Sequence, residues 1–415
     1  MLPCVMVVFV LLSCACGENP AVQVILTNKG LQYGKHEGTG WIQKELEQIT
    51  FPDISGSVNI YIGNVYYTLS GVTIKKCDLP EPSVEFVQQK GLMTSIAGLS
   101  FALTGEWRTS FGAIHDGGSF DMAIFNIDVT SAVQLGSDAG GHLSVSSISC
   151  KASVGDVAME FYGGASWIFQ PFVKHFKGHI IGRIQSQICP EVENSIMDLD
   201  HHLQAMNVSF DVNEVLNFDV PLTGDPDIEP SNMKLGLKGE FISIKTHKEP
   251  PFVAQEFILP ELPGYMLSVG ISEFTLNSAS FGYFSAGELQ ALINDSMIPP
   301  CIPFHLNTSS MGAFIPQLPK MYPGLLMNLQ VYARQAPMFS FQPGSGILDV
   351  HVGVKAAAIE ANGTQVPLFT LYVVSTSKLG EGTILPRMKH AQLVNTVLKM
   401  QKVTNLSNTH SCFFD

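Results

Sequence analysis

Residues Trp167–Leu203 carry apolar side chains at every fourth position over a longer span than any other part of the chain. A four-residue spacing is the period of a helix and not of a strand, so it predicts one long helix. Each four-residue step advances about 40° beyond a full turn, so the apolar stripe winds around the helix and requires a curved partner. Pro190 predicts a kink or a second segment. The stripe consists of Ile168, Phe172, Phe176, Ile180, Ile184, Ile188, Val192, Ile196, Leu199 and Leu203.

The chain before this helix alternates between apolar and polar residues, which is typical of strands with one buried face. Glycine-rich turns separate the alternating segments, so they predict antiparallel hairpins. The alternation changes phase between Ile124 and Phe125, which predicts a bulge or a strand covered on both faces. A first helix is expected over Gly30–Ile49. The strand segments are Val58–Ile62, Val65–Leu69, Leu99–Leu103, Phe120–Val129, Leu143–Cys150 and Val157–Phe161.

An antiparallel sheet with one apolar face, together with a long helix whose stripe winds, predicts a coiled sheet wrapped around that helix. The second half begins again with a helix expected over Ser285–Met297. Strands are expected at Leu326–Tyr332, Ile347–Val354 and Val366–Val374. Proline-rich segments flank a strand expected over Leu235–Ile244, which indicates a linker between two halves.

Several features indicate an exported protein. The apolar run Val5–Leu12, followed by small residues, predicts a signal peptide over residues 1–17 and a secreted, extracellular product. Five cysteines remain after it, and none forms a CxxC pair, so disulfides are favoured over metal ligation. Their odd number leaves one thiol either free or in an intermolecular bond, so a monomer is expected, with a disulfide-linked dimer as the alternative. Glycosylation sequons begin at Asn207, Asn294, Asn307, Asn362 and Asn405.

The net charge of −13 is unevenly distributed. Residues 18–220 contain 11 Lys and Arg against 22 Asp and Glu, a balance of 11 − 22 = −11. Residues 221–415 contain 12 against 14, a balance of −2. An acidic first half argues against a nucleic-acid partner and against broad electrostatic capture of anionic surfaces by that half.

An ordered set of short segments resembles the family of bactericidal permeability-increasing and lipopolysaccharide-binding proteins, which are relatives of the plasma lipid-transfer proteins. The resemblance extends from about Asn19 to Ser377. The matching segments are Asn19-Pro20, Lys29-Gly30-Leu31-Gln32-Tyr33, Gln43-Lys44-Glu45-Leu46, Ser147-Ile148-Ser149-Cys150, Ser186-Gln187-Ile188-Cys189, Leu237-Lys238-Gly239-Glu240-Phe241, Pro250-Pro251-Phe252 and Asp295-Ser296-Met297-Ile298-Pro299.

The resemblance implies an α+β fold of two elongated antiparallel β-barrels, each wrapped on long helices and joined by a central sheet in a boomerang shape. It also implies a disulfide between Cys150 and Cys189, and an apolar pocket for a phospholipid between helices and sheet. The residues expected to line that pocket are Phe176, Ile180, Ile184 and Ile188, opposed by Leu31 and Ile42. On spacing alone, the same helix stripe is also typical of an ordinary core.

Two departures from the family qualify this expectation. Family members that bind lipopolysaccharide tightly have a lysine-rich N-terminal tip, whereas here the corresponding stretches are Glu45–Thr50 and Gly105–Ser110. After about Lys378 the resemblance fades, so the second barrel is expected to be incomplete, as in a truncated product. The expected division is a signal peptide (1–17), an N-terminal lipid-binding barrel (18–234), a linker with a central-sheet strand (235–256), a partial C-terminal barrel (257–377) and a divergent tail (378–415).

Enzymatic motifs are not found: the chain has no Gly-x-Ser-x-Gly elbow, His-Glu-x-x-His or phosphate-binding glycine loop. His201 and His202 point about 100° apart on a helix and are interpreted as surface histidines. The tail predicts an amphipathic helix over Met388–Lys402 whose basic residues either contact anionic lipid or remain solvated. Those residues are Arg387, Lys389, Lys399 and Lys402.

The sequence therefore predicts a secreted, non-enzymatic lipid-binding protein of innate defence, with phospholipid and lipopolysaccharide or the bacterial outer membrane as partners. A bound phospholipid is expected, with no cofactor and no metal. The alternatives are a lipid carrier or transfer protein without bactericidal activity, and an inactive truncated form. The acidic N-terminal half favours the carrier.

Overall fold

A computed structural model describes residues 19–46, 53–59, 63–164, 173–299, 302–380 and 383–394. The predictions for the signal peptide, Cys301, Lys399, Lys402, Asn405 and Cys412 lie outside these residues, as do the side chains of Phe176, Arg387 and Lys389. The elements up to residue 204 are β1 (Val22–Thr27), α1 (Asn28–Leu46), β2 (Ile54–Asn59), β3 (Asn64–Asp78), β4 (Ser83–Val87), β5 (Gly91–Phe111), β6 (Ile114–Ser137), β7 (Leu143–Tyr162) and α2 (Val173–Gln204).

The later elements are mostly strands. Two short 3₁₀ turns, Asp295–Met297 and Ser310–Ala313, also occur there. The elements are β8 (Ser209–Asp211), β9 (Leu216–Asp219), β10 (Asp227–Glu229), β11 (Asn232–Leu237), β12 (Glu240–Ser243), β13 (Leu267–Ile271), α3 (Glu273–Ser285), β14 (Gln290–Ile293), α4 (Leu318–Met321), β15 (Met327–Ala333), β16 (Met338–Gln342), β17 (Ser345–Ile359), β18 (Gln365–Gly380) and β19 (Thr383–Val394).

The chain forms two compact units, and their segments interleave. The first unit contains the described residues up to Val208, together with Pro221–Lys238 and Phe257–Gly270. The second contains Ser209–Val220, Gly239–Glu256 and the described residues from Ile271 onward. The contiguous ranges predicted from the sequence therefore differ from these units, because short strands on either side of the expected boundaries pair with strands distant in sequence.

The first unit is built on an antiparallel sheet in the order β2-β3-β5-β6-β7, with β4 paired to β5; we call it the N-terminal sheet. Its long strands alternate between buried and exposed side chains. The alternation exists because the apolar positions all face one layer. Strands of about 20 residues accumulate the right-handed twist of β-structure, so the sheet coils.

The phase change predicted between Ile124 and Phe125 is a bulge. Ile124 and Ile127 are both buried, whereas Phe125 is exposed. Asn126 has a φ of 55°, and the pairing of β5 with β6 shifts register at this point. The bulge returns the following apolar residues to the same face, so the alternative of a strand covered on both faces is wrong.

The long predicted helix is α2, which is a single helix that contains Pro190. Its stripe is buried at Ile180 and Ile184, half-buried at Ile188, and 51% exposed at Leu199. The progressive exposure is the consequence of the winding stripe, since a face that rotates with each step leaves the sheet it began on. No helix in the described part of the chain is both long and apolar enough to cross a membrane.

The strand predicted over Leu235–Ile244 is two strands in different sheets. β11 belongs to a four-stranded sheet in the order β10-β11-β1-β13, whereas β12 belongs to a three-stranded sheet in the order β12-β9-β8. Gly239 lies between them with a φ of 62°, a left-handed conformation that favours glycine. The backbone therefore changes direction where periodicity alone indicated a continuous strand.

The second unit contains an antiparallel sheet in the order β14-β15-β17-β18-β19, with β16 paired to β17. The helix predicted over Ser285–Met297 is wrong: α3 ends at Ser285, and Gln290–Ile293 pairs with β15. α3 was missed because its buried residues are small and polar, including Thr275, Asn277 and Ser278. Its Asn277 side chain both donates to and accepts from the backbone of Phe339 on β16, at 3.0 and 2.6 Å.

The helix predicted over Met388–Lys402 is also wrong in its described part. β19 pairs with β18 from Gly380↔Thr383 to Thr370↔Val394. The strand forms because β18 offers it a complete hydrogen-bonding edge, which outweighs a helical pattern of only four apolar residues. Arg387 and Lys389 therefore lie on a strand.

We expect Asp200→Ala to destabilise the first unit. The Asp200 carboxylate accepts hydrogen bonds from the buried Val145 amide at 2.8 Å and from Gln204 Nε2 at 2.6 Å, and so joins α2 to β7. Removing it leaves a buried N–H without a partner, at a cost of about 1–3 kcal/mol in the free energy of unfolding. Urea unfolding measures this loss. Asp198→Ala, at an exposed position on the same helix, is the control; equal losses in both variants would contradict the assignment.

Candidate functional site

The inner face of the N-terminal sheet packs against α2. Ile180 and Ile184 belong to a buried cluster with residues from β3, β5, β6 and β7, including Leu103 and Phe120. The Tyr67 and His179 rings meet edge to face at 6.4 Å, and burial raises the pKa of the Tyr67 hydroxyl. This cluster seats the helix on the sheet.

A second, smaller cluster lies in the same unit. It is formed by Phe86 of β4, Ile228 of β10 and Met233 of β11. Leu31 of α1 packs against this cluster and not against the one that contains Ile180. Gln32 of α1 donates from Nε2 to the backbone oxygen of Val84 at 3.0 Å, which helps to hold the helix beside β4.

Half-buried apolar side chains extend along the inside of the unit, at the borders of the two clusters. Ile96, Val129 and Ile188 contact the first cluster, and Leu31, Leu92 and Leu135 contact the second. Val129 pairs with Ile96 across β5 and β6. These side chains belong to packed layers yet retain solvent-accessible area. We call the six residues the inner apolar strip. It offers a surface for a flexible apolar ligand.

The six residues predicted to line a pocket are not brought together as one site. Ile180 and Ile184 are 2% and 9% exposed and serve as core. Ile188 and Leu31 belong to the inner apolar strip, but they contact different clusters. Ile42 is 39% exposed and belongs to neither cluster, and the Phe176 side chain lies outside the described residues. Leu31 and Ile42 therefore do not oppose Ile180 and Ile184, because α1 packs beside β4 and not across the first cluster.

Sequence reasoning missed the strand residues of the strip. Leu92, Ile96, Val129 and Leu135 all occupy inward positions of β5 and β6. Strand alternation is the available signal for Val129, but the helix stripe is the longer pattern, so the sequence favours helical residues as the pocket lining. Which residues touch a lipid stays a prediction.

The disulfide between Cys150 and Cys189 is formed and joins β7 to α2, with Cα atoms 5.6 Å apart. Cys77 of β3 is 3% exposed in the first cluster. A thiol inside this packed cluster cannot meet a cysteine of a second protein molecule, so Cys77 does not supply the intermolecular disulfide that the odd cysteine count left open.

The four glycosylation sequons in the described part of the chain occupy turns and element ends. Asn207 and Asn362 are exposed, and Asn294 and Asn307 are half-buried. The Asn307 side-chain oxygen accepts from the Ser310 amide at 2.7 Å, and that of Asn362 accepts from the Thr364 amide at 2.8 Å. Exposed turns are where a glycan is tolerated, so Asn207 and Asn362 fit that role best.

Acidic side chains outnumber basic ones on the strands of the N-terminal sheet. In the stretch Gly105–Ser110, Trp107 is buried and donates from Nε1 to the Tyr162 backbone oxygen at 3.1 Å. At the surface, the Arg108 guanidinium nitrogen Nη2 lies 3.8 Å from the Oε2 oxygen of the neighbouring Glu106. The Glu160 carboxylate accepts from the Tyr162 hydroxyl and raises the pKa of that hydroxyl.

An ion pair joins the start of α2 to β7. Lys177 pairs with Asp156 of β7 and holds the pKa of that carboxyl below its usual range, with help from the Val157 amide.

His201 and His202 are both exposed, as the sequence predicted, and the His202 ring lies 2.6 Å from the Asp198 backbone oxygen. The described residues contain no group of three or more His, Cys, Asp or Glu side chains arranged to hold a metal ion.

We expect the double variant Cys150→Ser, Cys189→Ser to lower the free energy of unfolding by about 3–4 kcal/mol, because the bond closes a loop with a sequence separation of 39. Urea unfolding of the oxidised wild type and the double variant measures this. The reduced wild type, which keeps both cysteine side chains without the bond, is the control for the change of side chain. A double variant as stable as the wild type would show that the core alone seats the helix.

Comparison with known proteins agrees with this arrangement. Residues 30–206 match the model of the LBP / BPI / CETP family N-terminal domain, and residues 210–377 match that of its C-terminal domain. The bactericidal permeability-increasing protein of Sebastes schlegelii is 39% identical over 355 residues, which is 85% of this chain and 75% of the relative. The lipopolysaccharide-binding protein of Homo sapiens is 30% identical over 364 residues, which is 87% and 76% of the two chains.

A solved structure shares the fold. The crystal structure of lipopolysaccharide binding protein superposes with a TM-score of 0.56 at 24% identity, and the match covers 92% of this chain and 86% of that chain. The two domain models match consecutive parts of the sequence, and the antiparallel sheets with their helices follow the same fold. The chain belongs to the LBP / BPI / CETP family.

Proposed function

We propose that the chain is a secreted lipid-binding protein of innate defence that engages lipopolysaccharide and bacterial membranes and holds acyl chains on the inner apolar strip. The observation that carries this proposal is the set of six half-buried apolar side chains along the inside of the first unit, framed by α1, α2 and the N-terminal sheet. Two relatives of this chain are named a bactericidal permeability-increasing protein and a lipopolysaccharide-binding protein, which supports the assignment.

Burial of hydrocarbon provides the binding energy in this proposal. Each methylene group removed from water contributes about 0.8 kcal/mol, so an acyl chain of ordinary length supplies far more than one headgroup contact. The strip residues are apolar and uncharged. Selection is therefore mainly for acyl chains, and a phospholipid is the expected occupant. The protein acts in this proposal as a monomer.

The charge of the first unit favours a second candidate, a lipid carrier or transfer protein without bactericidal activity. Residues 18–220 carry 11 basic against 22 acidic side chains. Within Gly105–Ser110, the exposed charged residues are Glu106 and Arg108, which carry opposite charges and lie next to each other. Anionic headgroups gain little from such a surface. The two candidates share the strip and differ in whether the protein recognises a lipid A phosphate.

We expect the purified protein to bind lipopolysaccharide with an affinity that falls as salt is raised, because local basic residues assist acyl-chain burial. Titration of fluorescent lipopolysaccharide at salt concentrations between about 50 and 500 mM measures this salt dependence. Over that range the Debye length changes by roughly threefold. Mass spectrometry of lipids extracted from the same preparation provides the second readout. Bound phospholipid without lipopolysaccharide affinity would support the carrier, and the absence of both would overturn the proposal of lipid binding.

The basic tail provides a separate prediction. Arg387 and Lys389 lie on β19, so deleting the tail from residue 386 would also remove a strand of the sheet. We therefore expect Lys399→Glu, Lys402→Glu to weaken binding to anionic liposomes several-fold while binding to zwitterionic liposomes stays unchanged. Liposome co-sedimentation measures both. Lys248→Glu, Lys320→Glu, at two exposed lysines elsewhere, changes the net charge equally and is the control; equal losses in the two double variants would indicate a general charge effect.

A further inference from the structure

One polar side chain of the N-terminal sheet is buried without a hydrogen-bond partner. Ser131 of β6 is 5% exposed, and its Oγ has no partner among the described residues. The other two buried side-chain oxygens of this kind belong to Asn232 on β11 and Ser272, the residue before α3. Ser131 is the one that lies on the inner face of the N-terminal sheet.

The position of Ser131 is defined by strand pairing. It pairs with Thr94 of β5 on one side and with Cys150 of β7 on the other. Directly paired residues share a face, and Cys150 is bonded to Cys189 of α2. The Ser131 hydroxyl therefore points to the layer between the sheet and α2.

The neighbours of Ser131 along the same face belong to the inner apolar strip. Val129 lies two residues before it and pairs with Ile96, and Leu135 lies four residues after it. The two groups of strip residues contact different clusters, and Ser131 lies between them along β6. The Ser131 hydroxyl thus lies between the two apolar groups, beside Thr94, whose own hydroxyl donates to the Ser131 backbone oxygen at 3.4 Å.

A buried hydroxyl retains the capacity to donate one hydrogen bond, and leaving it without an acceptor is unfavourable. An acyl lipid contains a suitable acceptor, the ester or amide carbonyl oxygen that joins each chain to its headgroup. Among the described residues, the strip and the row of Thr94, Ser131 and Cys150 contain no Lys or Arg. A phosphate placed there would lack a counter-charge, whereas a neutral carbonyl needs none.

We propose that Ser131 Oγ–H donates a hydrogen bond to the acyl carbonyl of a lipid held on the inner apolar strip, and that it makes the site selective for acyl-linked over ether-linked chains. The inference rests on the proposed lipid-binding function. It goes beyond that function because it assigns a polar contact to one residue and a chemical preference to the site.

The test compares dioleoyl phosphatidylcholine with its dioleyl diether analogue, which has the same headgroup and nearly the same chains but no carbonyl. We expect the delipidated wild-type protein to bind the diester about three- to tenfold more tightly, the range of one neutral hydrogen bond. In Ser131→Ala this ratio falls to about one, through weaker diester binding with unchanged diether binding. Because Ser131 Oγ has no hydrogen-bond partner among the described residues, the Tm of the lipid-free variant is expected to be no lower than that of the wild type.

Ser131→Thr retains the hydroxyl and is expected to retain the preference, which separates the hydrogen bond from packing. Ser95→Ala is the matched control, since Ser95 lies on the opposite face of the sheet, where its Oγ is 3.3 Å from Thr130 Oγ1. A wild-type ratio of one, or an unchanged ratio in Ser131→Ala, overturns the inference and leaves the lipid-binding proposal intact. Failure of the wild type to bind either lipid overturns the proposed function itself.

Discussion

The packing of α2 on the inner face of the N-terminal sheet is the interaction on which the first unit depends. Ile180 and Ile184 close a core that draws residues from four strands, and Cys150–Cys189 holds the following turn of the helix to β7. The helix stripe rotates as it proceeds, so close packing at Ile180 leads to partial exposure at Ile188. The rotation of the stripe therefore packs one part of the helix closely and leaves an apolar surface partly exposed beside it. If the stripe had faced the sheet along its whole length, Ile188 would also be buried in the core.

Charge and apolarity are separated in this unit. The exposed face of the sheet carries acidic side chains such as Glu106 and Glu160, while the inner face is nearly all apolar. Salt does not screen hydrocarbon burial, which is also independent of the sign of a headgroup, whereas surface charge governs encounter with anionic membranes. In the proposed function, acyl-chain binding and attraction to membranes therefore depend on different residues, so the carrier proposal and the defence proposal share the inner apolar strip.

Much of the fold was accessible from local pattern. The four-residue stripe predicted α2, and the phase change at Ile124–Phe125 predicted the bulge at Asn126 because both features are periodicities that solvent imposes on a chain with one buried face. The prediction failed where the pattern was not apolar. α3 buries Thr275, Asn277 and Ser278 and satisfies them through partners such as the Phe339 backbone on β16, a solution invisible to hydropathy.

The sequence by itself determined the family, the helix-on-sheet arrangement and the identity of Ile188 and Leu31 as apolar residues of interest. Only the tertiary structure decided that Ile180 and Ile184 are core, that Leu31 contacts a different cluster, and that Ser131 is buried with no hydrogen-bond partner for its hydroxyl among the described residues. The physical reason is that periodicity reports which face of an element is apolar. Whether that face is sealed, shared or left open depends on strand register and helix placement, which join residues far apart in the chain.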